Sequence, residues 1–289
     1  MKITRAGLLT AVYLALPMLL WASAFTAIRV GLTGYAPVEL AFLRYLFASA
    51  VLILVALVTR MPLPQVRDIP FLFVCGAIGF GLYSGALNAG EQSVSPGTAS
   101  FIISSEVGVI AVLAAVFLRE RLPRLGWIGV VLCIAGVALI SLTADGGFEL
   151  SVGALLVFVA TLSISVFTVI QKPLLRRYSS LQFTTYAIWG GAISLFFFSP
   201  NAFTQLASAP TDATIAVLYM GIFPGIIAYW SWSQALKRMD VARAGSFLAL
   251  VPIAALAIAW LFLGDVPPLM ALLGGAIVLV GVLLVNRRG

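Results

Sequence analysis

Histidine is absent from this chain, and charged side chains make up only 9% of it, against roughly a quarter in soluble domains. The two cysteines, Cys75 and Cys133, lie in apolar runs with no CxxC spacing. A disulfide framework, a zinc site and histidine catalysis therefore have no basis, and no metal or cofactor is expected. No glycine-rich phosphate loop is present, which argues against direct use of ATP. The acidic residues are scattered singly, whereas an enzyme acting on lipid-linked substrates would gather such groups at an interface.

Apolar residues fill the chain instead: 62% of its 289 residues are hydrophobic and the mean hydropathy is +1.12. Runs of about 20 such residues fit the hydrocarbon core of a bilayer as helices, which satisfy their backbone groups internally. The expected fold is an all-α integral membrane protein with ten transmembrane helices. They fall near 8–30, 37–59, 69–90, 96–118, 125–143, 151–172, 180–199, 213–236, 241–263 and 268–285. The N-terminal run has the basic start of a signal peptide but no cleavage site after a short core, so it reads as a retained first helix.

This parsing sorts the charges. Of the 17 Lys and Arg residues, all but Arg29 and Arg44 fall on the side shared with the termini, while Glu91, Asp145, Glu149, Asp212 and Asp265 occupy the opposite loops. Excess basic charge marks the cytoplasmic side, so both termini are expected in the cytoplasm of a bacterial-type inner membrane. The net charge of +7 is then topological, and the expected partners are the bilayer and a small molecule, not nucleic acid.

The stretch "ASFIISSEVGVIAVLAAVFLRERLPRLGWIGVVLCIAGVAL" aligns without gaps on "AGSFLALVPIAALAIAWLFLGDVPPLMALLGGAIVLVGVLL" at a constant offset of 145. Phe117 meets Phe262, Pro123 meets Pro268, and Gly129 and Gly136 meet Gly274 and Gly281. Two domains, 1–144 and 145–289, follow. Five spans per half place the second copy upside down, and the turn "RERLPR" is rich in arginine while its partner "GDVPP" has none. Inverted repeats of this kind suit alternating-access transporters with a site near the midplane.

Together with "LLWASAFTAIRVGL", these segments resemble the paired EamA domains of the drug/metabolite transporter superfamily. The resemblance implies ten helices in two inverted five-helix repeats and export of a small metabolite or drug. Bacterial members of similar sequence include exporters of amino acids, aromatic ones among them. The fourth helix of a family repeat often carries Glu-Pro; here that pattern is split between Glu106 in the first copy and Pro252 in the second.

Polar residues at helical spacing give the candidate substrate positions. Ser84 and Asn88 share a small face beside Tyr83, and Ser165 and Thr168 share another that leads to Gln171. Tyr186 and Trp189 lie along the seventh span, and Trp230 and Gln234 along the eighth. The same features also fit tight helix packing, back-bonded hydroxyls and an interfacial aromatic belt. Arg44, Lys172, Pro224, Gly225 and Pro252 are gating or structural candidates, the prolines because they free backbone carbonyls.

Glu106 stands out because a carboxylate at bilayer depth costs roughly 2.5–3.5 kcal/mol on insertion scales. Three readings remain open: an ion pair with Arg44, a protonated buried acid, or a wall of the transport cavity. The leading function is inner-membrane export of amino acids by a carrier working as a single chain. Efflux of cationic compounds is the alternative within transport. A membrane-embedded enzyme and a channel are the rivals from other classes.

Overall fold

The computed structural model describes residues 5–94, 99, 102–141, 151–263 and 268–287. All regular structure among them is helical. The first half holds α1 (Arg5–Gly31), α2 (Pro37–Val58), α3 (Val66–Gly90), α4 (Ile102–Phe117) and α5 (Arg124–Ser141). The second holds α6 (Val152–Leu174), α7 (Ser180–Phe196), a short connecting α8 (Ala202–Ser208), α9 (Thr211–Leu236), α10 (241–263) and α11 (Leu269–Asn286). Seven of these, α1, α2, α3, α6, α9, α10 and α11, are long and apolar enough to cross a membrane; α4 and α5 are shorter but equally greasy.

Local chemistry sets several ends. Pro37 opens α2, where its missing N–H costs nothing. Ser151 caps α6, and Ser179 with Gln182 forms a reciprocal capping box on α7. α2 and α4 close in left-handed turns at Arg60 (φ 49°) and Arg119 (φ 55°), with Met61 N bonded to Ala56 O and Glu120 N to Ala114 O.

The sequence offset of 145 reappears in three dimensions. α3 contains a π-helical segment at Ala77–Leu82, and α9 contains its counterpart at Gly221–Ile227. α4 breaks at Ser105, and α10 narrows to a 3-10 turn at Phe247–Leu250, the residues aligned with 102–105. Two causes produce the same break. In α10 Pro252 removes a backbone donor, while in α4 the Ser105 hydroxyl donates to Ile102 O at 2.6 Å.

α5 and α11 form the most extensive helix pair and run antiparallel. A Cβ on Gly129 would sit 2.6 Å from Gly281 O, and one on Gly136 would sit 2.6 Å from Gly274 O. Exchanging the halves maps each contact onto the other. Cys133 Sγ lies 3.9 Å from O of Val278, its own repeat mate. A twofold axis perpendicular to both helices passes between these two residues, so one half is turned over relative to the other. The halves also interlock elsewhere: Gly76 of α3 abuts the backbone of α7, and its mate Gly221 abuts that of α2.

Candidate functional site

A cavity lies where the two halves meet. Its wall comes from α1, α2, α3, α4, α6, α9 and α10, and includes Trp21, Phe25, Arg44, Tyr83, Ile103, Ser104, Glu106, Thr168, Tyr229, Trp232, Leu248 and Val251. Three repeat pairs face it from both sides: Leu87 with Trp232, Ile103 with Leu248, and Glu106 with Val251. The cavity is narrow, with a volume of about 50 Å³, so its walls lie close together in this arrangement.

The break at Ser105 explains how Glu106 comes to face this space. On a uniform helix Ser104 and Glu106 would point about 200° apart. With the turn tightened at Ser105, both line the cavity. Glu106 thereby stands in the first turn of a fresh helical segment, whose positive end favours a carboxylate.

Arg44 reaches the cavity from α2. Its Nε is buried without a hydrogen-bond partner, and its guanidinium lies 5.1 Å from the centre of the Tyr45 ring. Of the three readings of Glu106, the ion pair with Arg44 is not formed: both groups line one cavity, yet no ion pair joins them among the described residues. Each charge is left to act on whatever enters.

Aromatic rings form the remaining wall. Trp21 meets Tyr229 and Trp232 edge-on at 5.1 and 5.7 Å, and its Nε1 donates to Pro224 O at 3.2 Å. Phe80 backs Tyr229 at 4.7 Å. The rings are therefore held in fixed orientations, a preorganised surface for a flat or apolar group.

Of the candidate substrate residues, Tyr83, Glu106 and Thr168 line the cavity. The others lie outside its wall. Ser84 pairs with Tyr45 Oη at 2.7 Å, Asn88 donates to Pro37 O, and Ser165 back-bonds to Thr161 O. Gln171 accepts from Ser233, and Tyr186 donates to Pro62 O at the arginine-bearing end. Trp189 faces a separate apolar groove with Phe42 and Phe196, Trp230 meets Tyr13 edge-on, and Gln234 holds Arg238.

Among the gating candidates, Lys172 donates to Leu236 O and Met239 O, closing the end of α9. Pro224 and Gly225 lie in the π-helical segment, and Pro252 follows the 3-10 turn. Trp21, Tyr229 and Trp232 were not among the candidates. Trp232 stands two residues beyond the candidate Trp230 and is the inward-facing ring of the two, fully buried beside the cavity. Pairing Leu87 with its repeat mate would have singled it out.

A second, wider cleft opens at the arginine-bearing end between α1 and α9–α11, lined by Thr10, Leu14, Met18, Arg238, Arg243, Phe247 and Leu250. Phe247 aligns with Ile102 of the other half. There α6 meets α4 through the Thr161 hydroxyl, which donates to Val157 O at 2.9 Å and to Ile102 O at 3.3 Å.

Apolar helices in two turned-over copies around a shared cavity define a multi-pass membrane protein of the transporter class. Residues 8–142 and 151–287 each match the EamA-like transporter family, and the chain belongs to it. It is 37% identical over 264 residues to the uncharacterized transporter YdfC of Bacillus subtilis, covering 91% of this chain and 86% of that one. It is 40% identical over 275 residues to a probable terminal-alkyne amino-acid exporter of Streptantibioticus cattleyicolor, covering 95% and 92%. One solved crystal structure superposes with a TM-score of 0.77 at 20% identity, over 98% of this chain and 97% of that one, a likeness of fold.

Proposed function

We propose that the protein exports amino acids with apolar or aromatic side chains across a bacterial inner membrane. It does so by alternating access, with ten transmembrane helices in two inverted five-helix repeats and both termini in the cytoplasm. The observation that carries this reading is that Arg44 and Glu106 stand in one aromatic-walled cavity with no ion pair between them among the described residues. A zwitterion answers both charges: its carboxylate suits the planar guanidinium, its ammonium suits Glu106, and its side chain packs among Trp21, Tyr229 and Trp232. Leaving two such groups unpaired in a membrane is costly, and a ligand that pairs them offsets the cost.

In this reading the cleft between α1 and α10 is the start of a path from the cytoplasmic side, and the α4–α6 contact at Thr161 and Ile102 is part of the barrier on the other. Because the halves are repeats, the opposite arrangement is available at little difference in energy. The name of the amino-acid exporter at 40% identity supports the substrate class. A lipophilic cation is the second reading, favoured by Glu106 beside aromatic rings. Arg44 opposes it by like charge.

Trp21 and Trp232 report on the cavity. Titrating purified protein with tryptophan-free amino acids, their decarboxylated amines and a lipophilic cation should quench tryptophan fluorescence only with the intact amino acids. Quenching should weaken in Trp21→Phe and in Arg44→Gln. Quenching by the amines alone would refute the zwitterion reading in favour of cation efflux.

A further inference from the structure

Glu91 follows the last turn of α3 at the acidic end of the molecule, where an ordinary loop carboxylate would be in water. It is instead 8% exposed, and both carboxylate oxygens are buried without a hydrogen-bond partner. Among the described residues outside α3, the charged group that acts on it is the exposed Arg29 at the end of α1. Inward along α3 stands Tyr83 of the cavity wall, within electrostatic reach of both Glu91 and Glu106. Arg44, Tyr45 and Tyr229 are the other titratable or charged groups around that tyrosine and Glu106.

Two buried carboxylates that form no ion pair among the described residues therefore lie to either side of one phenol, one at the outer end and one in the cavity. We propose that Glu91 is the outer loading site of a proton path that runs by Tyr83 to Glu106, so that export is coupled to proton uptake. A proton from the outer solution binds the Glu91 carboxylate. Tyr83 accepts it while giving up its own, and the Glu106 carboxylate receives the latter, so the phenol is unchanged. Neutral Glu106 no longer holds the substrate ammonium; one amino acid leaves outward and one proton is released inward when Glu106 re-ionises. Burial pushes the Glu91 carboxyl up to about 8, against the opposing pull of Arg29, which lets it hold a proton at the outer surface near neutrality. This inference rests on the cavity and substrate assigned above.

The test uses full-length protein in liposomes with the membrane potential clamped, comparing counterflow with accumulation driven by a pH gradient. One-to-one coupling gives about tenfold accumulation per pH unit. Glu91→Gln should abolish that accumulation yet keep counterflow within about twofold, since in exchange the ammonium of a second amino acid, present at high concentration, replaces the first at Glu106 and no proton has to be delivered. Glu91→Asp should restore it. Accumulation by Glu91→Gln equal to the parent would overturn the proposal. Should the parent show no amino-acid counterflow, the substrate reading fails, and infrared spectroscopy of the purified protein decides the proton site alone. A protonated-carboxyl band titrating near pH 8 and missing in Glu91→Gln upholds it; no such band overturns it.

Discussion

Replacing Gly136 by alanine tests the twofold crossing on which the architecture turns. The added Cβ would lie 2.6 Å from Gly274 O and 2.8 Å from both Val278 N and Val278 Cγ2. Two of those three neighbours are backbone atoms, so no side-chain rotation relieves the clash. Reaching an ordinary 3.4 Å contact requires α5 and α11 to part by about 0.8 Å, which loosens the longest helix seam in the molecule. Overpacking against backbone, which cannot rotate away, falls in the upper part of the range for added methyl groups, about 2–3 kcal/mol. Alanine's better helix propensity returns up to about 1 kcal/mol, leaving a net loss of roughly 1–2 kcal/mol and a melting temperature lower by roughly 2–8 °C. The mate Gly281→Ala meets Gly129 O at 2.7 Å and should lose a similar amount. Gly85→Ala, with nothing within 4 Å, is the control and should be neutral or slightly stabilising. Thermal unfolding of the purified variants in detergent reads all three. Equal melting of Gly136→Ala and the parent, or an equal loss in Gly85→Ala, would refute the close crossing.

Lys172→Met should lower stability by about 1–2 kcal/mol, because the Leu236 and Met239 carbonyls lose a charged donor; melting checks it, and an unchanged transition would show that water replaces the amine at no cost. Glu120 accepts from Val241 N and Ala242 N, both at 2.9 Å, and so caps α10 from the other half of the chain. Glu120→Ala should cost about 1–2 kcal/mol and Glu120→Gln less, read by the same melts. Arg119→Gly relieves a left-handed residue and should raise stability by up to about 1 kcal/mol; a fall would mean that its charge at the end of α4 matters more than its backbone.

Much of this fold was legible in the sequence because lipid imposes few solutions. Long apolar runs forced helices, and the gapless offset of 145 exposed the repeat that the π-helical pair in α3 and α9 and the Gly129–Gly281 crossing express in space. The cavity was less legible. Helical-wheel reasoning assumes a uniform 100° per residue, and it separated Glu106 from Ser104 because a single hydroxyl, Ser105, breaks the period between them. The same reasoning favoured polar faces, whereas Ser84, Ser165 and Asn88 spend their hydrogen bonds inside the helix packing. Most of the cavity wall is aromatic and aliphatic, and in so greasy a chain composition cannot distinguish a pocket from a packed seam. Arg44 and Glu106 were visible as misplaced charges, but that neither satisfies the other required coordinates.

The most direct test is counterflow of a labelled aromatic amino acid into liposomes that hold purified protein and excess unlabelled substrate. Saturable uptake accelerated by the internal pool, and reduced in both Arg44→Gln and Glu106→Gln, is the expected result. Uptake that ignores the internal pool, or that survives both substitutions unchanged, would contradict a zwitterion carrier centred on this cavity.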